Sequence, residues 1–427
     1  MRNSATFPAG DITLLKKKLV RWAGNFSCAL FIDHNNYRNF HPGLECIAAA
    51  GAIDSISPHS GNAFPGLAAF FNQHKDWLFG YLSYDLKNEV EPALLSANPE
   101  HNDDIKFPVA HFFRPRHIVK IAGDQLFIES TENPNRIFEN ISNTVIADYL
   151  PPPSGLIRQR MKKEEYMESV RKLHQHISDG DLYEVNLCQE FYIENYSANP
   201  IYLYERLNAI NPAPFASFLK FNDHYLLSAS PERFLKKVGN KITSQPMKGT
   251  LRRDHATSDF SQQEKLRYDP KERAENVMIV DLVRNDLARS AVPGSVKVEE
   301  LFGVYTFPTV HQMVSTISAT LRPEVHFATA IKNAFPMGSM TGAPKIKAMQ
   351  LIDQYEKTNR GLFSGTVGFI TPAGDFDFNV VIRSFLYNAS SKYLSFQTGS
   401  AITYDSIPEK EYEECLLKAK ALIAALQ

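Results

Sequence analysis

The sequence predicts an α+β fold, on three observations. Short runs rich in aromatic and β-branched residues recur along the whole chain, helical stretches fall between them in mixed order, and the regular strand–helix alternation of a parallel doubly wound sheet is missing. With 427 residues, 44% of them hydrophobic and 22% charged, the chain is long enough for two or three ordinary domains and a sizeable core.

The elements follow in order. Residues 11–24 read as a helix, with apolar residues at near-helical spacing and Asp11 or Thr13 available to accept the first free N–H groups. Strand-like runs follow at 28–32, 77–82, 110–113 and 125–128, each bounded by Gly, Pro, Asn or Asp, and predict a mostly antiparallel sheet. The clearest seam is Pro151-Pro152-Pro153-Ser154-Gly155, where three prolines remove backbone donors and favour extended chain. It divides the chain into an N-terminal α+β region over 1–150, a linker over 151–159 and a larger region over 160–427. Beyond the seam the pattern predicts helices at 163–178, 264–288, 327–334, 344–355 and 408–426. Strands are expected at 185–192, 215–221, 224–228, 234–238, 365–371, 376–385 and 393–398.

Composition excludes several function classes. Lys and Arg number 46 against 47 Asp and Glu, so the electropositive footprint of a nucleic-acid binder is missing and a small-molecule ligand is the better expectation. No uninterrupted apolar run approaches the ~20 residues of a membrane helix, and Met1 to Ser4 lead into a polar stretch. The four cysteines (Cys28, Cys46, Cys188 and Cys415) stand far apart, without zinc-site spacing or disulfide density. A cytoplasmic protein is expected.

Four features carry chemistry. Glu272 and Glu275 lie three apart in a helical stretch, and Glu411 and Glu414 repeat the arrangement with Lys418 one turn on. Two such faces brought together offer hard oxygen ligands to Mg²⁺; alone, each is a solvated helix face. Glu232, in Ser230-Pro231-Glu232-Arg233, and Lys248, in Pro246-Met247-Lys248-Gly249, sit at strand ends, where side chains project into clefts. A partly desolvated lysine loses its proton more easily and becomes a nucleophile. Gly338-Ser339-Met340-Thr341-Gly342-Ala343-Pro344-Lys345 is a loop opening a helix, suited equally to a plain cap or to an anion. It lacks the Gly-Lys-Ser/Thr ending of a Walker loop.

Together these residues resemble the chorismate-utilising enzymes, and within them the aminodeoxychorismate synthase component I branch. The blocks that match are Gly180–Leu187, Ser230–Phe234, Pro246–Thr250, Ala274–Asp286, Gly338–Lys345 and Glu411–Lys418, in family order across about residues 160–425; the first 150 residues match loosely. The resemblance implies an anthranilate synthase component I-like fold, with large antiparallel sheets packed as a sandwich and helices outside, and a chorismate-binding catalytic domain over 160–427. It implies Mg²⁺ on Glu275 and Glu414, with Glu272 and Glu411 as further or water-mediated ligands. It further implies that His311 lies near the substrate ring, that Ser339 and Gly399 line the substrate site, and that Arg383 and Lys418 address carboxylate oxygens.

The branches of that family differ in what attacks the ring. Anthranilate synthases typically carry Ala where this chain has Lys248, and isochorismate and salicylate synthases use a Lys at the position of Glu184. The resemblance therefore implies amination of chorismate at C4, with Lys248 adding at C2, Glu232 protonating the leaving hydroxyl, and ammonia then displacing the lysine. None of the four cysteines sits in a Gly-rich elbow, so the glutamine amidotransferase that supplies ammonia is expected as a separate chain.

Overall fold

The computed structural model describes residues 2–37, 39–41, 43–94, 101, 103–146, 149, 155–254 and 256–427. Residues 151–154 of the proline-rich seam lie outside them. The architecture is the expected α+β one, mixed helix and antiparallel sheet.

One run of strands goes from Glu184–Ile193 through Tyr393–Ile402, Ser384–Asn388, His224–Ser230 and Phe215–Phe221 to Cys28–Asp33, then Cys46–Ile56, Ala110–Ala122, Gln125–Ser130 and Asn3–Pro8. A second run leaves the long strand Ala110–Ala122 at its start. It passes through Leu78–Leu82, Thr366–Ile370, Phe376–Asn379, Arg233–Val238 and Lys241–Gln245 to Val310–Thr320, which also pairs with Met247–Arg252 and Lys297–Thr306. Strands from before and after residue 150 thus hydrogen-bond to each other in two places, Cys28–Asp33 with Phe215–Phe221 and Leu78–Leu82 with Thr366–Ile370.

The two-residue period of a strand splits the core in two. Cys28, Leu30 and Ile32 face an inner core shared by both runs of strands, while Ala29 and Phe31 face an outer core. Helices Ile12–Gly24, Lys163–Ser178, Pro200–Ile210, Lys345–Tyr355 and Pro408–Leu426 cover the outer core; helices Ala63–His74, Pro270–Ala288 and Phe327–Ala334 close the inner one.

Most predicted helices hold within a residue or two, and Asp11 is the first cap, its carboxylate accepting from Leu14 N–H at 3.0 Å. Two elements differ. The stretch 264–288 is two helices, Asp259–Arg267 and Pro270–Ala288, because Pro270 cannot continue a helix but starts one well, and Asp269 caps it. The stretch 376–385 is two strands, Phe376–Asn379 and Ser384–Asn388, separated by a bend in which Arg383 takes φ +52°.

Candidate active site

Lys248 sits on strand Met247–Arg252, which begins directly after Pro246. Its amine donates to Glu184 Oε1 at 2.6 Å and lies 3.7 Å from Glu275 Oε2. Burial alone would lower this lysine, but Glu184 and Glu275 outweigh it and hold the amine above the ordinary lysine value. The resting group is an ammonium. Its backbone carbonyl accepts from Asn276 Nδ2 at 3.1 Å, which ties the strand to the carboxylate helix Pro270–Ala288. Gly249 follows at φ +101°, and a side chain there would meet Glu272 Oε2 at 3.0 Å.

Glu232 occupies the two-residue break between strands His224–Ser230 and Arg233–Val238 and is buried. Ser339 Oγ donates to its Oε1 at 2.6 Å. Burial pushes its pKa up to about 7, against the opposing pull of Ser339, the Met247 N–H, Lys248 and Arg383. Ser339 itself lies in a single turn, Gly338–Met340, whose carbonyl at Ser339 is clamped by Asn186 Nδ2. A narrow recess beside this acid is lined also by Pro246, Asp286 and Met337.

Arg383 stands in the bend between strands Phe376–Asn379 and Ser384–Asn388. Among the described residues its guanidinium takes no hydrogen bond or ion pair; burial lowers its pKa, and Glu232 is the carboxylate whose field it feels. This half-buried guanidinium, with no partner among the described residues, keeps its parallel N–H donors open.

The two helical carboxylate pairs converge. Lys271 feels the charges of Glu272, Glu275, Glu411 and Glu414, and Lys248 that of Glu414 as well. Burial, followed by repulsion from Glu275, pushes Glu272 up to about 7, and Glu275 is raised mainly by burial. Glu411 is buried on helix Pro408–Leu426, whereas Glu414 is half-exposed and paired with Lys418 at 2.8 Å. The carboxylates are held by lysines: among the described residues no three acidic, histidine or cysteine side chains stand close enough to hold a metal ion. The donor set nonetheless fits Mg²⁺, because these are hard oxygen ligands whose mutual repulsion a divalent cation would relieve.

Lys418, Gly399 and His311 complete the expected set. Lys418 donates to the Gly399 carbonyl at 2.9 Å as well as pairing with Glu414. Gly399 turns its bare face to the neighbouring strand, where a Cβ would stand 2.1 Å from the Leu187 carbonyl oxygen. Gly399→Ala is therefore expected to cost about 2 kcal/mol through overpacking, read as a lower urea midpoint. His311 is fully buried, with Nδ1 2.9 Å from Thr306 Oγ1 and Nε2 3.5 Å from Asp259 Oδ1; none of these partners belongs to the Lys248 cluster. Its neighbour Gln312, on the opposite strand face, donates to the Gly249 carbonyl at 2.9 Å.

Glu184 is the member of this cluster that sequence reasoning did not put in the site. It starts strand Glu184–Ile193, is 1% exposed, and has Oε2 buried with no hydrogen-bond partner among the described residues. A carboxylate opening a strand of mixed polar and apolar residues is the available signal. The loop before helix Lys345–Tyr355 was open to an anion or a plain cap. There Lys345 turns its amine to Asp286 at 2.6 Å and the Pro336 carbonyl at 2.8 Å.

The family model described as chorismate binding enzyme matches residues 29–424. Aminodeoxychorismate synthase component 1 of Salmonella typhimurium is 42% identical over 271 residues, 63% of this chain and 59% of that protein, so the match spans under two thirds of the relative's length. The anthranilate synthase component I-like protein of Synechocystis is 33% identical over 363 residues, 83% of this chain and 73% of that protein. The crystal structure of anthranilate synthase component I from Streptococcus pneumoniae shares the fold, with a TM-score of 0.78, 24% identity, and coverage of 91% of this chain and 93% of that one. Because the family model runs over nearly the whole chain, from strand Cys28–Asp33 to helix Pro408–Leu426, the chain belongs to the chorismate binding enzymes.

Proposed function

We propose that this chain aminates chorismate at C4 with ammonia, giving 4-amino-4-deoxychorismate, and takes that ammonia from a separate glutamine amidotransferase chain. The observation that carries the reading is Lys248, an amine paired with Glu184 whose charge reaches the protonatable Glu232. Arg383, unpaired, would bind a substrate carboxylate. Glu232, half-protonated near pH 7, would give its proton to the departing C4 hydroxyl, with the Ser339 hydroxyl fixing its orientation at 2.6 Å. Lys248 would add at C2 as that hydroxyl leaves, and Glu184 Oε1 at 2.6 Å is the nearest acceptor for the proton the amine must lose. Ammonia attacking C4 then expels the lysine by the reverse allylic shift.

Glu275 and Glu414, with Glu272 and Glu411 behind them, would hold Mg²⁺. When bound, the ion would neutralise substrate carboxylate and support charge developing as the hydroxyl departs. The release of Lys248, Lys271 and Lys418 from these carboxylates is then part of substrate binding.

The test is incubation of purified protein with chorismate, Mg²⁺ and an ammonium salt, followed by product identification by mass. An aminated product that retains the enolpyruvyl group is expected, and chelation of Mg²⁺ should abolish its formation. Anthranilate plus pyruvate as the main product would instead assign the chain to C2 amination, and unchanged chorismate would leave it a binding subunit.

A further inference from the structure

Arg360 and Glu356 form an enclosed ion pair that the chemistry above does not use. Glu356 closes helix Lys345–Tyr355, and the two residues are 2% and 3% exposed. The guanidinium makes two parallel bonds to the carboxylate, Nε to Oε2 at 2.9 Å and Nη2 to Oε1 at 2.6 Å. It also reaches main chain: Nη1 donates to the Met340 carbonyl at 2.6 Å and Nη2 to the Asn186 carbonyl at 3.0 Å. Glu356 Oε1 in turn accepts from the Cys188 N–H at 2.8 Å, and the Tyr84 ring lies over the guanidinium, 4.6 Å from its central carbon.

A buried pair gains little stability over apolar residues of the same volume, so its contacts say more about its use than its charge does. Strand Glu184–Ile193 is paired along one edge with Gly342–Ala343 at its start and with Arg158–Gln159 near its end. Between them, the Asn186 carbonyl and the Cys188 N–H meet Arg360 and Glu356 where a neighbouring strand would stand. The guanidinium thereby ties this strand to Met340, the residue after Ser339. Ser339 itself is held on two sides: its carbonyl accepts from Asn186 Nδ2, and its hydroxyl donates to Glu232 Oε1 at 2.6 Å.

We propose that Arg360 is a positioning residue for the acid: by gripping the Met340 and Asn186 carbonyls together it fixes turn Gly338–Met340, and so aims the Ser339 hydroxyl at Glu232. The inference rests on the amination reading above, which makes Glu232 the proton donor. A hydrogen bond weakens steeply once it lengthens or bends, and the Ser339 hydroxyl favours the charged form of Glu232 against burial. A turn loosened by loss of Arg360 would leave Glu232 with a higher pKa and a less directed proton.

Arg360→Lys keeps a cation opposite Glu356 but lacks the planar fork that reaches two carbonyls at once. It is expected to lower kcat about tenfold and to move the alkaline limb of the kcat profile upward by about half a pH unit. Ser339→Ala removes the contact outright and should move the limb about one pH unit in the same direction. In Arg360→Lys/Ser339→Ala the limb should stay where Ser339→Ala alone puts it, because no hydroxyl is left to aim. An unmoved limb in Arg360→Lys, or shifts that add in the double variant, would overturn the inference and leave Arg360 a structural partner of Glu356. If Arg360→Lys fails to fold, Arg360→Met/Glu356→Leu strands neither charge and carries the same test. Independently of turnover, the Glu232 carboxyl band in pH-difference infrared spectra, identified by its loss in Glu232→Gln, should titrate at higher pH in Arg360→Lys than in the wild type; equal midpoints would overturn the inference as well. Wild-type protein that makes no aminated product would sink the amination reading, and the infrared titration would still decide whether Arg360 acts on Glu232.

Discussion

Lys248→Ala is expected to remove C4 amination by roughly 10³-fold or more while chorismate still binds, measured as product formation alongside substrate-induced quenching or calorimetry. The same substitution strands Glu184 and takes one cation from Glu275. Breaking a buried pair on one side costs about 3–5 kcal/mol, most of it the price of the uncompensated charge. A loss of activity could therefore be blamed on a weakened fold. The double substitution Lys248→Ala/Glu184→Gln separates the two: it removes both charges, so stability should return toward wild type, while amination stays absent. Full amination in either variant would refute covalent participation by Lys248. Recovery of activity together with stability in the double variant would make the lysine a structural counter-ion.

That experiment turns on a contact the sequence did not show. Lys248 was legible as a strand-end amine in a motif block, and Glu184 as a residue distinguishing branches, but 64 positions separate them. Their meeting depends on strand Glu184–Ile193 being pinned by Gly342–Ala343 and strand Met247–Arg252 by Val310–Thr320, pairings set by long-range register. Desolvation was expected to free the amine; instead the carboxylates it meets keep it charged. The helical carboxylates were more legible, since i, i+3 spacing fixes a shared face before any tertiary contact forms. What spacing could not give is that Glu411 is buried while Glu414 is half-exposed, because the helix Pro408–Leu426 packs with Tyr412, Cys415 and Ala419 inward.

Strand faces limited the reading in a similar way. His311 and Gln312 are adjacent in sequence but lie on opposite faces: His311, Met313 and Ser315 turn toward helices, with Ser315 Oγ donating to Asn276 Oδ1 at 2.6 Å. A one-residue difference in register decides which side chain reaches Gly249, and sequence pattern alone does not resolve it here, where both residues are buried. The helix break at Pro270 and the bend at Arg383 have different origins. Pro270 is a residue whose chemistry ends one helix and starts the next, and it could be read. Arg383 adopts φ +52° with a side chain that gains nothing from that backbone, so the bend is held by its surroundings, including the Ala229 N–H to Arg383 carbonyl bond at 3.2 Å.

Glu232→Gln is expected to move activity and stability in opposite directions. The amide keeps the shape of the side chain and can still accept from Ser339, but it has no proton to donate, so kcat should fall about 10²–10⁴-fold. In the wild type, kcat governed by this acid should decline tenfold per pH unit above about 7, and the residual activity of the variant should lack that limb. Stability follows from the same shift. Burial raises Glu232 from 4.5 to about 7, so the folded chain holds a proton that the unfolded chain has released across that interval. Its contribution is whole below pH 4.5 and is lost as pH rises through about 7, leaving a buried charge that costs about 3 kcal/mol at pH 8. Glu232→Gln never pays that cost. Its urea midpoint should exceed that of the wild type at pH 8 and approach it at pH 5. A variant equally stable at both pH values would mean that Lys248 and Arg383 already neutralise Glu232 in the folded chain, and the acid would then have to be sought elsewhere in the site.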